Sequence, residues 1–293
     1  MNILETSVSY IMHSIPLSVL AEWSVSQVEK ALSCFKISGA PVMDRNAQVV
    51  GWISDIDILR FKNLCRFQDV IQKGEIAISK QEEEEPITNI MHTEIFGIHH
   101  SQNLKSAIKM LLDLNIHQLL VFREKDDFIG MISVYDVIKN IYSYMFSYNF
   151  PILYSGIEDI ITENIICVRE NVPVFEVEQI MDVSNVHAVP VIDAFGVVQG
   201  IVHQEDLVQF EVFFAEGIVN ATQLVPVSAI MNSSFVTISR FSLLNEVIKS
   251  MAENKSYRLL VAEHGRIHGL ISAMDVLKKL NKTSVSSYES IML

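Results

Sequence analysis

The chain has 293 residues, 49% hydrophobic and 19% charged, a balance that excludes extended disorder and leaves length for about two domains with cores of their own. Twenty-two basic against 35 acidic residues give a net charge of −13, which argues against nonspecific binding to nucleic acid or to an anionic membrane. No apolar run approaches about 18 residues, Met1-Asn-Ile-Leu-Glu-Thr6 lacks the basic start of a secretory signal, and Cys34, Cys65 and Cys167 show no paired spacing; the expectation is a cytoplasmic protein, with the nucleus as the alternative, holding reduced thiols and no metal.

Along the chain one pattern recurs four times. Each copy opens on a short apolar pair, Ile11-Met12, Ile90-Met91, Ile160-Ile161 and Ile230-Met231. An aspartate follows each opener, and 46, 46, 46 and 45 residues separate Ile11 from Asp57, Ile90 from Asp136, Ile160 from Asp206 and Ile230 from Asp275. A period this regular is the mark of an internal repeat, here of about 55 residues.

Within the first repeat the pattern predicts a short strand at 17–19 and a helix carrying Val25, Val28, Ala31, Leu32 and Phe35 at helical spacing. Two strands follow, 40–43 and 49–53, joined across Asp44-Arg45-Asn46 by hairpin chemistry. The second repeat has the same plan, with a helix on Leu104, Ala107, Ile108, Leu111 and Leu112 and strands 119–122 and 128–132. The linker ahead of it carries Glu82 to Glu85 before Pro86, read as a solvated loop, and the aromatic joint from Tyr142 to Pro151 reads as a buried seam rather than a base-stacking surface. The third repeat has a helix on Val174, Val177, Ile180 and Met181 and strands 189–192 and 197–202. In the fourth, the first strand is 235–238, the helix carries Leu244, Val247, Ile248 and Met251, and the strands are 259–262 and 267–271. A closing helix starts near each aspartate, and the serine-rich tail from Asn281 reads as frayed. The fold class is therefore α/β, built on strand, helix, strand, strand, helix.

The second strand of each pair ends on the most regular stretch: Gly51-Trp-Ile-Ser54-Asp-Ile-Asp57, Gly130-Met-Ile-Ser133-Val-Tyr-Asp136, Gly200-Ile-Val-His203-Gln-Glu-Asp206 and Gly269-Leu-Ile-Ser272-Ala-Met-Asp275. Serine followed three residues later by an acidic residue is a helix-capping pattern, worth about 1 kcal/mol. On residues alone the step reads as a cap, and four copies at the same place in the repeat do not exclude that reading.

These repeats resemble the CBS repeat, named from cystathionine β-synthase, from about Val8 to Leu280. The resemblance implies repeats of about 8–62, 87–141, 157–210 and 227–280, packed as two pseudo-twofold pairs in modules 1–146 and 147–293. It also implies adenosine derivatives bound in clefts, with Asp57, Asp136, Asp206 and Asp275 accepting from ribose hydroxyls and Ser54, Ser133 and Ser272 beside phosphate. His203 stands where serine or threonine is expected, and Thr237 lies on the first strand of the fourth repeat. The family's second contact region reads Ser38-Gly, His117-Gln, His187-Ala and Tyr257-Arg258. The four-repeat relatives include the gamma subunits of AMP-activated protein kinases, which carry His-Arg pairs there that reach phosphate; His117 matches the histidine and Arg258 the arginine of such a pair, and His187 points toward the phosphates by position.

The resemblance thus implies a regulatory protein, not an enzyme, that binds AMP, ADP or ATP as a regulatory ligand, needs no cofactor, and acts on a partner in trans such as kinase subunits. The alternatives are a ligand-free scaffold or homodimerising module, or a sensor of another adenosyl ligand such as S-adenosylmethionine. No phosphate-cradling glycine loop or nucleophile elbow occurs, and pairs such as Met91-His92 and His99-His100 do not converge on a metal site.

Overall fold

The computed structural model describes residues 3–14, 17–35, 37–73, 84–145, 151–184, 186–204, 206–207, 210 and 225–289. The elements of the first repeat are β1 (His13–Ser14), β2 (Val19–Leu20), α1 (Val25–Phe35), β3 (Gly39–Met43), β4 (Val49–Ser54) and α2 (Asp55–Lys73). The second holds β5 (Gly97–His99), α3 (Leu104–Asp113), β6 (Gln118–Phe122), β7 (Phe128–Ser133) and α4 (Val134–Tyr144). The third holds β8 (Val168–Arg169), α5 (Val174–Ser184), β9 (Ala188–Ile192) and β10 (Val198–His203), with helix opening again at residue 204. The fourth holds β11 (Thr237–Ile238), α6 (Leu244–Asn254), β12 (Arg258–Glu263), β13 (Arg266–Ser272) and α7 (Ala273–Glu289).

Each repeat builds one small sheet with the same wiring. Its first strand runs parallel to the middle strand, across a helical crossover, and the middle and last strands form an antiparallel hairpin. The predicted helices and strand pairs appear within about two residues of expectation. One expectation on the end of the chain changes. The stretch from Asn281, read as frayed, continues α7 to Glu289. Residues 74–83 of the acidic linker lie outside the described residues, but its end is anchored: Glu85 accepts a hydrogen bond from Val25 N–H at 2.8 Å through its carbonyl and from Asn89 through its carboxylate. In the aromatic joint Tyr142 donates to Glu253 at 2.7 Å and Met145 is buried, whereas residues 146–150 lie outside the described residues.

The chain divides into two compact units, each assembled from separate stretches. One comprises Met1–Pro16, Phe96–Ile165 and Phe235–Leu293; the other comprises Leu17–Ile95 and Ile166–Ser234. The first unit therefore joins the bodies of repeats 2 and 4, and the second joins those of repeats 1 and 3. Repeat boundaries and unit boundaries differ because each opener leaves its own repeat. The opener of repeat 1 pairs as β1 on the edge of β7 in repeat 2, and His92 of the second opener pairs with Trp52 in β4 of repeat 1. Thr162 likewise pairs with Leu270 in β13, and Asn232 with Ile201 in β10.

The repeated glycine exists to admit the opener. A Cβ on Gly51 would stand 2.7 Å from the His92 carbonyl oxygen, one on Gly130 2.4 Å from that of His13, one on Gly200 2.8 Å from Met231 Sδ, and one on Gly269 2.5 Å from the Thr162 carbonyl oxygen. Real Cβ atoms do not approach backbone as closely as at Gly51, Gly130 and Gly269, so there glycine lets two strands of different repeats meet; at Gly200 the nearest atoms belong to the Met231 side chain.

Inside the first unit a continuous apolar core runs through both repeats, from α3 and α4 to α6 and α7. Ile108 and Ile248 occupy matching positions in α3 and α6 and are buried. In the second unit the matching positions in α1 and α5 are Glu29 and Glu178, also buried, and the apolar residues there fall into two clusters. Lys62 reaches Glu29 at 2.5 Å and Arg60 reaches Asp182 at 3.1 Å. At these positions the second unit thus buries two glutamates where the first buries two isoleucines, and buried charge is a weaker source of net stability than buried hydrocarbon.

Lys279 of α7 also hydrogen-bonds Asp159, and that bond, opposed by burial, holds the Asp159 carboxyl below its ordinary range. A carboxyl depressed in the folded state binds its proton more readily in the unfolded chain. Its stabilisation is therefore present above the unfolded value of about 4 and disappears as pH falls through the lower folded value. Urea midpoints measured downward from about pH 5 should fall less steeply for Asp159→Asn than for the natural chain.

Candidate functional site

The closing helices begin directly after Ser54, Ser133 and Ser272, which places Asp57, Asp136 and Asp275 at the third helical position. There the capping box forms in full. Asp57 Oδ2 accepts from Ser54 N–H at 2.9 Å and from its hydroxyl at 2.6 Å, while Ser54 Oγ accepts from Asp57 N–H at 3.4 Å. The same three bonds occur in repeat 2 at 2.8, 2.6 and 3.2 Å and in repeat 4 at 3.0, 2.6 and 3.3 Å. In repeat 3 the backbone N–H of His203 donates to Asp206 Oδ2 at 2.8 Å, and its ring Nδ1 lies 3.4 Å from that oxygen. The cap survives loss of the serine because half of it is backbone.

This geometry assigns the two carboxylate oxygens different tasks. Oδ2 is committed to the cap. Oδ1 takes no part in the cap, so capping and ligand recognition are not exclusive in one aspartate. The serine hydroxyl, by contrast, spends its only proton on Oδ2 and would have to release that bond before donating to a phosphate.

The stretch that the resemblance implies as a second contact region lies beside the cap. Across each hairpin Ser54 faces Gly39, Ser133 faces Gln118, His203 faces Ala188 and Ser272 faces Arg258. The carbonyl one residue earlier accepts from the first helical N–H: Ser38 from Asp55, His117 from Val134, His187 from Gln204 and Tyr257 from Ala273, at 3.0, 2.9, 3.2 and 2.8 Å. In repeats 1, 2 and 4 the first and third amides of the helix start are thereby used, and in repeat 3 the first is, which leaves the second as the one an anion could take. In repeat 1 that amide, Ile56 N–H, donates to Asp55 Oδ1 at 2.8 Å. A carboxylate stands there where phosphate would have to sit, and the other repeats carry Val134, Gln204 and Ala273 instead.

Arg258 is the one basic residue placed opposite a capping serine, since the matching residues are Gly39, Gln118 and Ala188. Thr237 lies one strand further on, opposite Leu260, with its side chain exposed. His117 is exposed at the start of β6, while His187 is half-buried and hydrogen-bonds Gln204 Oε1 through Nδ1 at 2.6 Å. Tyr135, between Ser133 and Asp136, packs against Tyr257 with ring centroids 5.4 Å apart. Burial first, then the Asp136 charge, raises its hydroxyl above the ordinary value.

Two contacts lie outside anything the sequence pattern predicts. Nε2 of His13 stands 2.6 Å from Asp136 Oδ1, and Nε2 of His92 stands 2.8 Å from Asp57 Oδ1. The clue to them is the triplet Ile-Met-His, which recurs at the openers at 11–13 and 90–92.

The CBS domain family matches the chain four times, at residues 8–63, 87–143, 157–212 and 227–282. The chain belongs to the CBS-domain family. Members of that family are regulatory, ligand-binding modules, and four in tandem account for both units. Over 94% of this chain and all of the other, the fold superposes with a TM-score of 0.81 on a protein from Methanocaldococcus jannaschii described as a suggested archaeal homologue of γ-AMPK, at 21% identity. An uncharacterised conserved protein from Pyrococcus horikoshii gives 0.60 over the same shares, also at 21% identity. In sequence, 184 residues are 28% identical to an L-aspartate semialdehyde sulfurtransferase from Methanocaldococcus jannaschii, covering 61% of this chain and 33% of that one. The chain thus spans about a third of that relative's length. Among the described residues no His, Cys, Asp or Glu cluster is arranged to hold a metal, the three cysteines form no disulfide, and no helix is long and apolar enough to cross a membrane.

Proposed function

We propose that this CBS-domain chain is a regulatory sensor of adenine nucleotides, AMP, ADP or ATP, that is not itself an enzyme and passes its ligand state to a protein partner in trans, such as kinase subunits, or to a second copy. The observation that carries this reading is the fourth-repeat site. Asp275 commits Oδ2 to the cap, and its Oδ1 accepts from the exposed Lys278 Nζ at 3.4 Å. Arg258 stands opposite Ser272. A ribose acceptor and a phosphate partner therefore flank one helix start, next to the second helical N–H, that of Met274.

The functional modules on this reading are 1–146 and 147–293. The reciprocal exchange of openers between repeats 1 and 2, and between 3 and 4, supports that pairing. The other residues proposed to touch ligand are Asp57, Asp136, Asp206, Ser54, Ser133, His117, His187, His203 and Thr237.

A second reading, a scaffold whose sites are filled by its own side chains, draws support from His13 and His92, which already sit on Asp136 and Asp57. A third, S-adenosylmethionine as ligand, is favoured by the lack of a basic residue opposite the caps of repeats 1 to 3. Calorimetric titration of the full chain with AMP, ATP and S-adenosylmethionine separates them. Binding of AMP or ATP is expected, and no heat from any of the three at millimolar ligand would leave the scaffold.

A further inference from the structure

The four aspartates present two different surfaces to solvent. Asp136 and Asp57 are nearly buried, with side chains 4% and 9% exposed, and the imidazoles on their Oδ1 atoms are 69% and 63% exposed. An arriving ligand therefore meets the imidazole before it meets the carboxylate. Both rings are delivered by exchanged openers, one residue beyond the methionine whose sulfur covers the repeat glycine. In repeats 3 and 4 the facing openers place Asn232 and Thr162 at that position. Asn232 uses its side-chain oxygen to accept from Ser234 N–H at 2.8 Å, and among the described residues neither it nor Thr162 is hydrogen-bonded to Asp206 or Asp275.

We infer that His13 and His92 are specificity-determining residues that occupy the ribose acceptor of Asp136 and Asp57, dividing the four sites into a closed class, Asp57 and Asp136, and a class open on the opener side, Asp206 and Asp275, where the nearby basic groups are His203, 3.4 Å from Asp206 Oδ2, and the exposed Lys278, which donates to Asp275 Oδ1 at 3.4 Å. This rests on the adenosyl-ligand reading above. The physical reason is the count of acceptors. Oδ2 is filled by the serine N–H and hydroxyl, so a ribose diol has to place its hydroxyls on Oδ1, and an imidazole N–H already uses that atom. A ligand at a closed site must first displace the ring. Because each ring is mostly in water, displacement costs little and the closed sites are weakened, not abolished. Repeat 1 is closed twice over, since Asp55 also stands at its phosphate position.

The test is calorimetry of the full chain with AMP, and in parallel with S-adenosylmethionine, on the natural protein and on two variants. His13→Ala with His92→Ala removes both rings and should add binding equivalents or tighten the weak class about fivefold. Thr162→His installs a ring opposite Leu270 and should weaken the tightest site by a similar factor, which guards against a null result from misfolding of the first variant. In the natural protein the imidazole NMR signals of His13 and His92 should move only after the first class is saturated. Identical isotherms for the natural chain and both variants would overturn the inference while leaving the adenosyl reading intact. Absence of binding by either ligand to all three proteins would overturn both.

Discussion

If the proposed adenine-nucleotide site of the fourth repeat binds AMP, Asp275→Ala is expected to weaken that binding by about 30-fold, corresponding to one charge-assisted pair of ribose hydrogen bonds at about 2 kcal/mol. It also removes a capping box, whose loss costs about 1 kcal/mol of stability. The two effects are separable. Ser272→Ala removes the hydroxyl bond to Oδ2 at 2.6 Å but leaves Oδ1 and the backbone bond at 3.0 Å in place. It should therefore show the stability loss with AMP affinity changed by no more than a few-fold. Equal loss of affinity in both variants would mean that Asp275 acts only through the helix start. Calorimetry and urea denaturation on the same preparations decide between these outcomes.

Gly130→Ala should be the most destabilising of the small substitutions. Its Cβ would lie 2.4 Å from the His13 carbonyl oxygen and 3.1 Å from Met12 Sδ, and the nearer atom is backbone in β1, which cannot rotate away. Overpacking of this kind costs about 3 kcal/mol. Either the unit loses that stability or the opener detaches from β7. Detachment would expose residues 3–14 to limited proteolysis, and urea denaturation reports the alternative. Gly196→Ala is the contrasting case. Nothing lies within 4 Å of its Cβ, but its φ of +80° is left-handed, so its cost is backbone strain of about 1 kcal/mol. A Gly130→Ala protein as stable as the natural chain and as resistant to protease would show that the opener is not clamped there.

The elements were legible because their residues are local. Val28 and Leu32, or Ala107 and Leu111, repeat at helical spacing and are buried as the period demands. The hairpin turn at Asp44 was legible because a short acidic side chain accepts from nearby N–H groups, here Asn46 and Gln48. The capping serines and aspartates were legible as one motif for the same reason. The site was only half legible. That Arg258 would stand across from Ser272 depended on hairpin register, which is set once both strands and their turn are placed. That His13 would meet Asp136, 123 residues away, depended on which sheet edge the opener chose.

By itself, then, the amino-acid order determined the repeat, its strand, helix, strand, strand, helix plan, and the aspartate at each helix start. Each of these rests on contacts between residues a few positions apart, where periodicity and capping chemistry act. Tertiary structure alone decided which repeats share a unit, why a glycine recurs, and which carboxylate oxygens are already taken. Those facts arise where backbone from one repeat packs against the sheet of another. A Cβ clash at Gly130 and an imidazole at Asp136 come into being only when that segment arrives.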